Sequence, residues 1–167
     1  QAYAGGLTEV RGGRLIVQEL AGLGGTTHIK TLPGGTIKFL AGSEGAFNGT
    51  VTLGGTIDTD ANMTFQAASG DSVTLTGMPG VTVAAGRTAT FGTTVDNGSA
   101  VTLVKGGAGT LTLTDPDNAI GATTLKIDDG VVRAGYDGAA GTIDGAAVEL
   151  AGGTLSLESY TELADGV

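Results

Sequence analysis

Short runs of alternating apolar and polar residues recur along almost the whole chain, separated by glycine, asparagine or aspartate. Such alternation is typical of a strand with one buried face, and Gly-Gly, Asn-Gly and Asp-Gly pairs mark turns. The pattern predicts strands of about four residues, with Leu, Ile and Val pointing inward and Thr, Lys, Asp and Arg pointing outward. The segment RLIVQELAGL from Arg14 also fits a helical turn or two, or a capping element. Clear strand examples are GGTIKF from Gly34, NGTVTL from Asn48, AGTLTL from Ala108 and GGTLSL from Gly152.

A longer period overlies the strand pattern. Ile37 and Ile57 occupy equivalent positions in successive repeats, and so do Val131 and Leu155. Repeats of this length with two or three strands each indicate the coils of a β-solenoid. We therefore predict an all-β fold over residues 1–167: a single right-handed parallel β-helix of about seven coils, with about 20–24 residues per coil. An antiparallel sandwich or an up-and-down barrel is the alternative, because these folds also have evenly spaced strands.

The composition of the chain excludes several classes of protein. Its 167 residues include 32 glycines and no cysteine, and the net charge is −9. The glycines follow no Gly-X-Y period, which excludes collagen, and the hydrophobic content of 40% argues against disorder. Without cysteine there are no disulfides and no thiolate metal sites. The acidic charge argues against nucleic acid as a partner, and no apolar run is long enough for membrane insertion as a helix.

The segment VKGGAGTLTLTDPDNAIGATTLKIDDGVV, which begins at Val104, resembles the autotransporter-associated β-strand repeat of bacterial secreted passengers. It departs from that pattern at Pro116, at Ile120 where the family often has tyrosine, and in a slightly shorter turn. The resemblance implies a right-handed parallel β-helix that serves mainly as a rigid stalk, at the bacterial cell surface or in the extracellular medium. The matching residues are Lys105, Gly107, Gly109, Thr110, Leu111, Leu113, Asn118, Ile120, Gly121, Thr123, Leu125, Gly130 and Val131.

The sequence offers little for catalysis. His28 is the only histidine, so neither a histidine-based triad nor a multi-histidine metal site can be built around it alone. The serines lack a Gly-x-Ser-x-Gly elbow, and the glycine-rich segments lack the Gly-Lys-Ser/Thr ending of a phosphate loop. We therefore expect a structural or adhesive protein that is not an enzyme and has no organic cofactor.

Closely spaced carboxylates form the one pattern that favours a metal. Alternating Asp and Asn residues resemble the first half of a calcium-binding loop. The same residues also make side-chain-to-backbone turns, which is the simpler explanation at coil corners. The candidate calcium ligands are Asp58, Asp60, Asp115 and Asp117.

A polysaccharide-binding or polysaccharide-cleaving protein is the alternative function. Some β-helix enzymes cleave acidic polysaccharides with carboxylate-bound calcium and a basic residue. Arg133 is the candidate basic residue here, because it lies close in sequence to Asp128 and Asp129.

The two ends of the chain match each other. TEVRGGRL begins at Thr8 and TELADGV begins at Thr161, which places Thr8–Leu15 and Thr161–Val167 at an equivalent phase of the coil. Uncapped solenoid ends expose unpaired amides, so we expect these ends to contact other copies end to end or further solenoid coils. A host or matrix glycan or protein is a further candidate partner. The candidate self-assembly residues are Val10, Leu15, Leu163 and Val167.

Overall fold

The chain forms a parallel β-solenoid of about six turns within the part that the structure, a computed structural model, describes. That part comprises residues 6–66, 72–97, 99–115, 118, 120, 123–135, 143 and 146–157. Its strands assemble into three sheets, because each turn contributes one strand to a sheet before the chain bends at a glycine-rich corner. The winding explains why no strand exceeds six residues in these ranges.

The first described sheet has the order β1-β3-β6-β9-β12, the second β2-β4-β7-β10-β13-β15-β17 and the third β5-β8-β11-β14-β16-β18. Two 3₁₀ helices, Leu20–Leu23 and Ala41–Ser43, also lie in the described ranges. The strands are β1 Leu7–Val10, β2 Gly13–Val17, β3 His28–Thr31, β4 Gly35–Phe39, β5 Gly45–Asn48, β6 Thr50–Leu53, β7 Thr56–Thr59, β8 Met63–Gln66, β9 Val73–Leu75, β10 Gly80–Val83, β11 Thr88–Phe91, β12 Val95–Asp96, β13 Val101–Gly106, β14 Thr110–Leu113, β15 Thr123–Ile127, β16 Val131–Ala134, β17 Ala147–Leu150 and β18 Thr154–Leu157.

The strand register confirms the solenoid prediction. Every described strand pair is parallel, which excludes the antiparallel sandwich and the up-and-down barrel for these residues. In the second sheet Thr36 pairs with Thr56 and Thr56 pairs with Gly80, so each pairing joins residues that lie one predicted period apart. About six turns are seen where about seven coils were expected. The right-handed winding, which parallel connections strongly favour, stays a prediction.

Stacked apolar columns fill the interior. In the first sheet the inward column is Ile29, Val51, Val73 and Val95, all of them fully buried. Aromatic rings pack inside the third sheet, where the ring centroid of Phe65 lies 5.6 Å from that of Phe91 in an edge-to-face arrangement. Such columns form because the pleat sends alternate residues inward, and parallel register places like residues one above another.

The first turn differs from the turns that follow it. The segment from Arg14 was ambiguous between strand and helix, and it contains both: β2 occupies its first part and the 3₁₀ helix Leu20–Leu23 its second part. Leu23 is buried, so this helix contributes to the core at the first described turn. No described helix has both the length and the apolar character needed to cross a membrane.

Candidate functional site

A cluster of charged side chains lies on the outer face of the second sheet. Lys38 and Asp58 are paired residues of β4 and β7, and the Lys38 Nζ lies 3.0 Å from Asp58 Oδ2 and 3.0 Å from Asp60 Oδ1. Arg14 adds a longer contact of 3.9 Å to Asp58. Burial by itself lowers the pKa of Lys38, but the hydrogen bonds to Asp60 and Asp58 outweigh it and raise that pKa above its usual value. The cluster is therefore a charged, lysine-centred ion pair.

The candidate calcium ligands do not come together as a set in the described residues. Asp58 and Asp60 bracket an ammonium group, Asp115 is half-buried in the segment after β14, and Asp117 lies outside the described residues. Among the residues that the structure describes, no three His, Asp or Glu side chains are grouped so that they could hold a metal ion. Calcium binding stays a prediction.

The residues considered for catalysis lie on different faces. His28 is on the first sheet, where its Nε2 lies 3.0 Å from the Thr52 hydroxyl on the neighbouring turn. Arg133 is on the third sheet. Asp129 occupies the corner between β15 and β16, where its Oδ1 accepts the Gly130 N–H at 2.7 Å. Asp128 lies beside it and pairs with Lys126 at 3.4 Å. At this corner the side chain of Asp129 makes a side-chain-to-backbone turn, as expected if these carboxylates shape coil corners and do not bind calcium.

Lys105 lies inside the solenoid, which contradicts the expectation that lysines point outward. Its side chain is fully buried, and it occupies the inward column of the second sheet between Val81 and Ile127. The reason is strand parity: Val101, Leu103 and Lys105 alternate on one strand, so all three must face the same way. This parity was the signal in the sequence that could have located Lys105. The threonines Thr31 and Thr59 are buried as well, again against expectation, and their hydroxyls bond to the backbone of Gly55 and Ala61.

The buried ammonium of Lys105 joins two turns at a corner. Its Nζ donates to the carbonyl oxygens of Gly106 at 2.7 Å, Gly107 at 2.6 Å and Asp129 at 3.2 Å. Three acceptors match the three protons of an ammonium group, so its charge is solvated by the backbone. Burial lowers the pKa of Lys105, and the charge of Asp129 offsets this lowering only in part. Gly130 packs tightly here, since a Cβ on it would lie 2.9 Å from the Lys105 Nζ.

A second set of side chains ties three turns together at another corner. The Arg87 guanidinium donates to Glu44 Oε1 at 2.6 Å, and the Asn62 amide donates to the same oxygen at 3.3 Å. Asn62 Oδ1 in turn accepts the Thr88 backbone N–H at 3.0 Å. These groups are exposed, so their hydrogen bonds stabilise the corner and enclose no site.

Apolar side chains lie at both ends of the described solenoid, and Ile16 of β2 is exposed at the first of them. At the first turn, a hollow of about 620 Å³ is lined by residues that include Val10, Leu15 and Leu23. At the last described turn, Leu150 is 59% exposed and Leu157 is 40% exposed, although both continue inward columns. The other two candidate self-assembly residues, Leu163 and Val167, lie outside the described residues.

Comparison of the chain with protein-family models, curated proteins and solved structures finds no match. The fold itself shows a β-solenoid repeat protein. The resemblance to autotransporter passengers rests on the segment from Lys105 to Val131, and three of its described residues, Lys105, Gly109 and Asn118, have contacts at the corners.

Proposed function

We propose that this chain is an extracellular bacterial β-solenoid that acts as a rigid structural or adhesive scaffold at the cell surface. The observation that carries the proposal is the unbroken parallel stack. The inward residues remain buried from Ile29 in the first sheet to Val132 in the third, and the strands of successive turns pair in continuous register. Such a stack resists bending and leaves its outward side chains free to vary, which suits a spacer or a presenting surface.

The residues of the passenger-like segment support this proposal through the work they do. Lys105 joins the corners of two turns, and the Asn118 side-chain oxygen accepts the Val95 backbone N–H at 2.8 Å. Gly109 has no space for a side chain, because a Cβ there would lie 2.3 Å from the Ala84 carbonyl oxygen. These residues hold neighbouring turns together, so their pattern stabilises the solenoid, as expected of a stalk repeat.

The polysaccharide-cleaving alternative has weaker support. Asp58 is on the second sheet and Arg133 on the third, and Asp58 and Asp60 already neutralise Lys38. Asp129 lies at the corner before the strand of Arg133, but its side chain accepts the Gly130 N–H. The cleavage chemistry considered above uses a carboxylate-bound cation and a basic residue beside the same sugar. We therefore favour the scaffold, with a glycan or protein ligand as a candidate partner of its outward faces.

Surface labelling tests the location. Cells that produce the chain are treated with a membrane-impermeant, amine-reactive reagent, and modified lysines are identified by mass spectrometry. We expect modification of Lys30 and Lys126, whose side chains are each 34% exposed. Lys105 should stay unmodified and serves as the internal control for an intact fold. Modification of Lys30 and Lys126 only after cell lysis would overturn an extracellular location.

A cleavage assay tests the absence of lyase activity. The purified chain is incubated with acidic polysaccharides in the presence and absence of Ca²⁺, and unsaturated products are followed by absorbance. We expect none. Products that disappear in an Asp58→Asn variant would establish the enzyme instead, and a Thr90→Ala variant on the third sheet is the matched control.

A further inference from the structure

The strand register of the second sheet places residues of its first and last described strands in shared columns. One outward column runs through Arg14, Thr36, Thr56, Gly80, Val104, Lys126 and Glu149. The adjacent inward column runs through Leu15, Ile37, Ile57, Val81, Lys105, Ile127 and Leu150. The two exposed edges therefore carry opposite charges in one column and leucine in the next.

We propose that copies of this chain join head to tail, with β2 of one copy pairing in parallel with β17 of the next. In the register that continues the columns, Arg14 lies one rung from Glu149 and Leu15 one rung from Leu150, at a spacing of about 4.8 Å. This inference rests on the proposed scaffold function and names a second copy as the partner of its ends.

The charges at the two edges support this pairing over pairing of like ends. The Arg14 side chain is 56% exposed and reaches Asp58 only at 3.9 Å, whereas the Glu149 side chain is 58% exposed and reaches Lys126 only at 3.8 Å. Each group is therefore held loosely in its own chain. In the junction, Glu149 lies between Lys126 of its own copy and Arg14 of the next, so the outward column alternates in charge.

Burial favours the same junction. Leu150 continues a fully buried column yet is 59% exposed, and Leu15 is half-buried beside the hollow of the first turn. Stacking Leu15 on Leu150 removes apolar surface from water at both edges. It also pairs the outer edges of β2 and β17, which have no partner strand among the described residues. Because the two surfaces differ, the contact does not close on itself, and repeated addition yields a filament.

Charge reversal tests the register. The full chain is studied by sedimentation velocity over a wide concentration range, with electron microscopy of the largest species. We expect the wild-type mass to grow with concentration through dimers to filaments. Glu149→Arg and Arg14→Glu should each weaken association about tenfold, because each places like charges one rung apart. The double variant, Arg14→Glu with Glu149→Arg, should restore association to within about threefold of wild type.

The control is Thr90→Arg, which adds a positive charge on the third sheet away from both edges and should leave association unchanged. Hydrogen exchange supplies a second readout: the amides of β17 that point away from β15 should be protected only at concentrations at which oligomers form. Protection of these edge amides in the monomer would show that the chain covers this edge itself and would overturn the proposal.

A chain that stays monomeric at every concentration, or a double variant that fails to recover, would overturn it as well. The scaffold function is judged separately by surface labelling and by the cleavage assay. A monomeric chain that is labelled on intact cells and cleaves no polysaccharide would end the filament proposal and leave the scaffold standing.

Discussion

Two glycines in the same backbone conformation give the sharpest test of how the corners are built. Gly86 and Gly130 both have a φ of +71°, in the left-handed region that side chains disfavour. At Gly86 a Cβ would meet nothing within 4 Å. At Gly130 it would lie 2.3 Å from the Gly109 oxygen, 2.4 Å from the Gly107 oxygen and 2.9 Å from the Lys105 Nζ. Alanine at either position therefore has a similar conformational energy cost for the backbone, but its Cβ overlaps other atoms only at position 130.

The expected losses of unfolding free energy differ accordingly. Gly86→Ala should cost about 1 kcal/mol, which is the left-handed backbone cost of a non-glycine residue. Gly130→Ala carries the same cost, together with about 2 kcal/mol for relieving two carbon–oxygen overlaps. Moving the corner also weakens the hydrogen bonds of the Lys105 ammonium, by about 1 kcal/mol. The difference between the two variants is therefore about 3 kcal/mol, or about 6–12 °C in melting temperature for a chain of this size.

Circular dichroism during thermal and urea unfolding measures both variants against wild type. The urea dependence should keep its slope if the variants change stability alone. Equal losses at Gly86 and Gly130, or a Gly130→Ala loss within about 1 kcal/mol of wild type, would refute the tight corner described here. Such a result would mean that the Lys105 corner opens without penalty.

Three further predictions concern the core and the charges. Phe65→Ala should lower the free energy of unfolding in urea by about 4 kcal/mol, because the side chain is fully buried between the rings of Phe39 and Phe91. Thr64→Ala on the outer face should change it by less than about 0.5 kcal/mol. Equal losses would contradict the packing of these three rings. The pKa of Lys105 in the folded chain lies below its unfolded value of 10.5, so between these two pH values the unfolded chain binds more protons than the folded chain. The free energy of unfolding of wild type should therefore rise with pH in that range, and Lys105→Met should remove this rise. The same dependence of stability on pH in Lys105→Met would exclude the buried ammonium. Lys38→Met should cost less than about 1 kcal/mol at low salt, and a difference that persists at high salt would contradict an ion-pair origin.

The sequence predicted the strands because their pattern is local. GTIKF and TLTL alternate with period two, and each became a strand with alternating burial. The repeat spacing also predicted parallel stacking, since a solenoid with this period places residues one repeat apart on neighbouring strands turn after turn. The strand pattern and the repeat spacing each depend on one turn or on two consecutive turns, so they can be read from the amino-acid sequence.

The sites required the tertiary structure. The separation between Lys38 and Asp58 fits the repeat period, but the period varies from turn to turn, and a slip of one residue would send either side chain to the opposite face. Lys105 shows the same limit: its residue type predicts exposure, whereas its strand parity and the three carbonyl acceptors from two turns place it inside. The alternation of residues along each strand therefore determined which elements form. The register between turns decided which charges meet, because it depends on corner lengths that the sequence pattern alone leaves free.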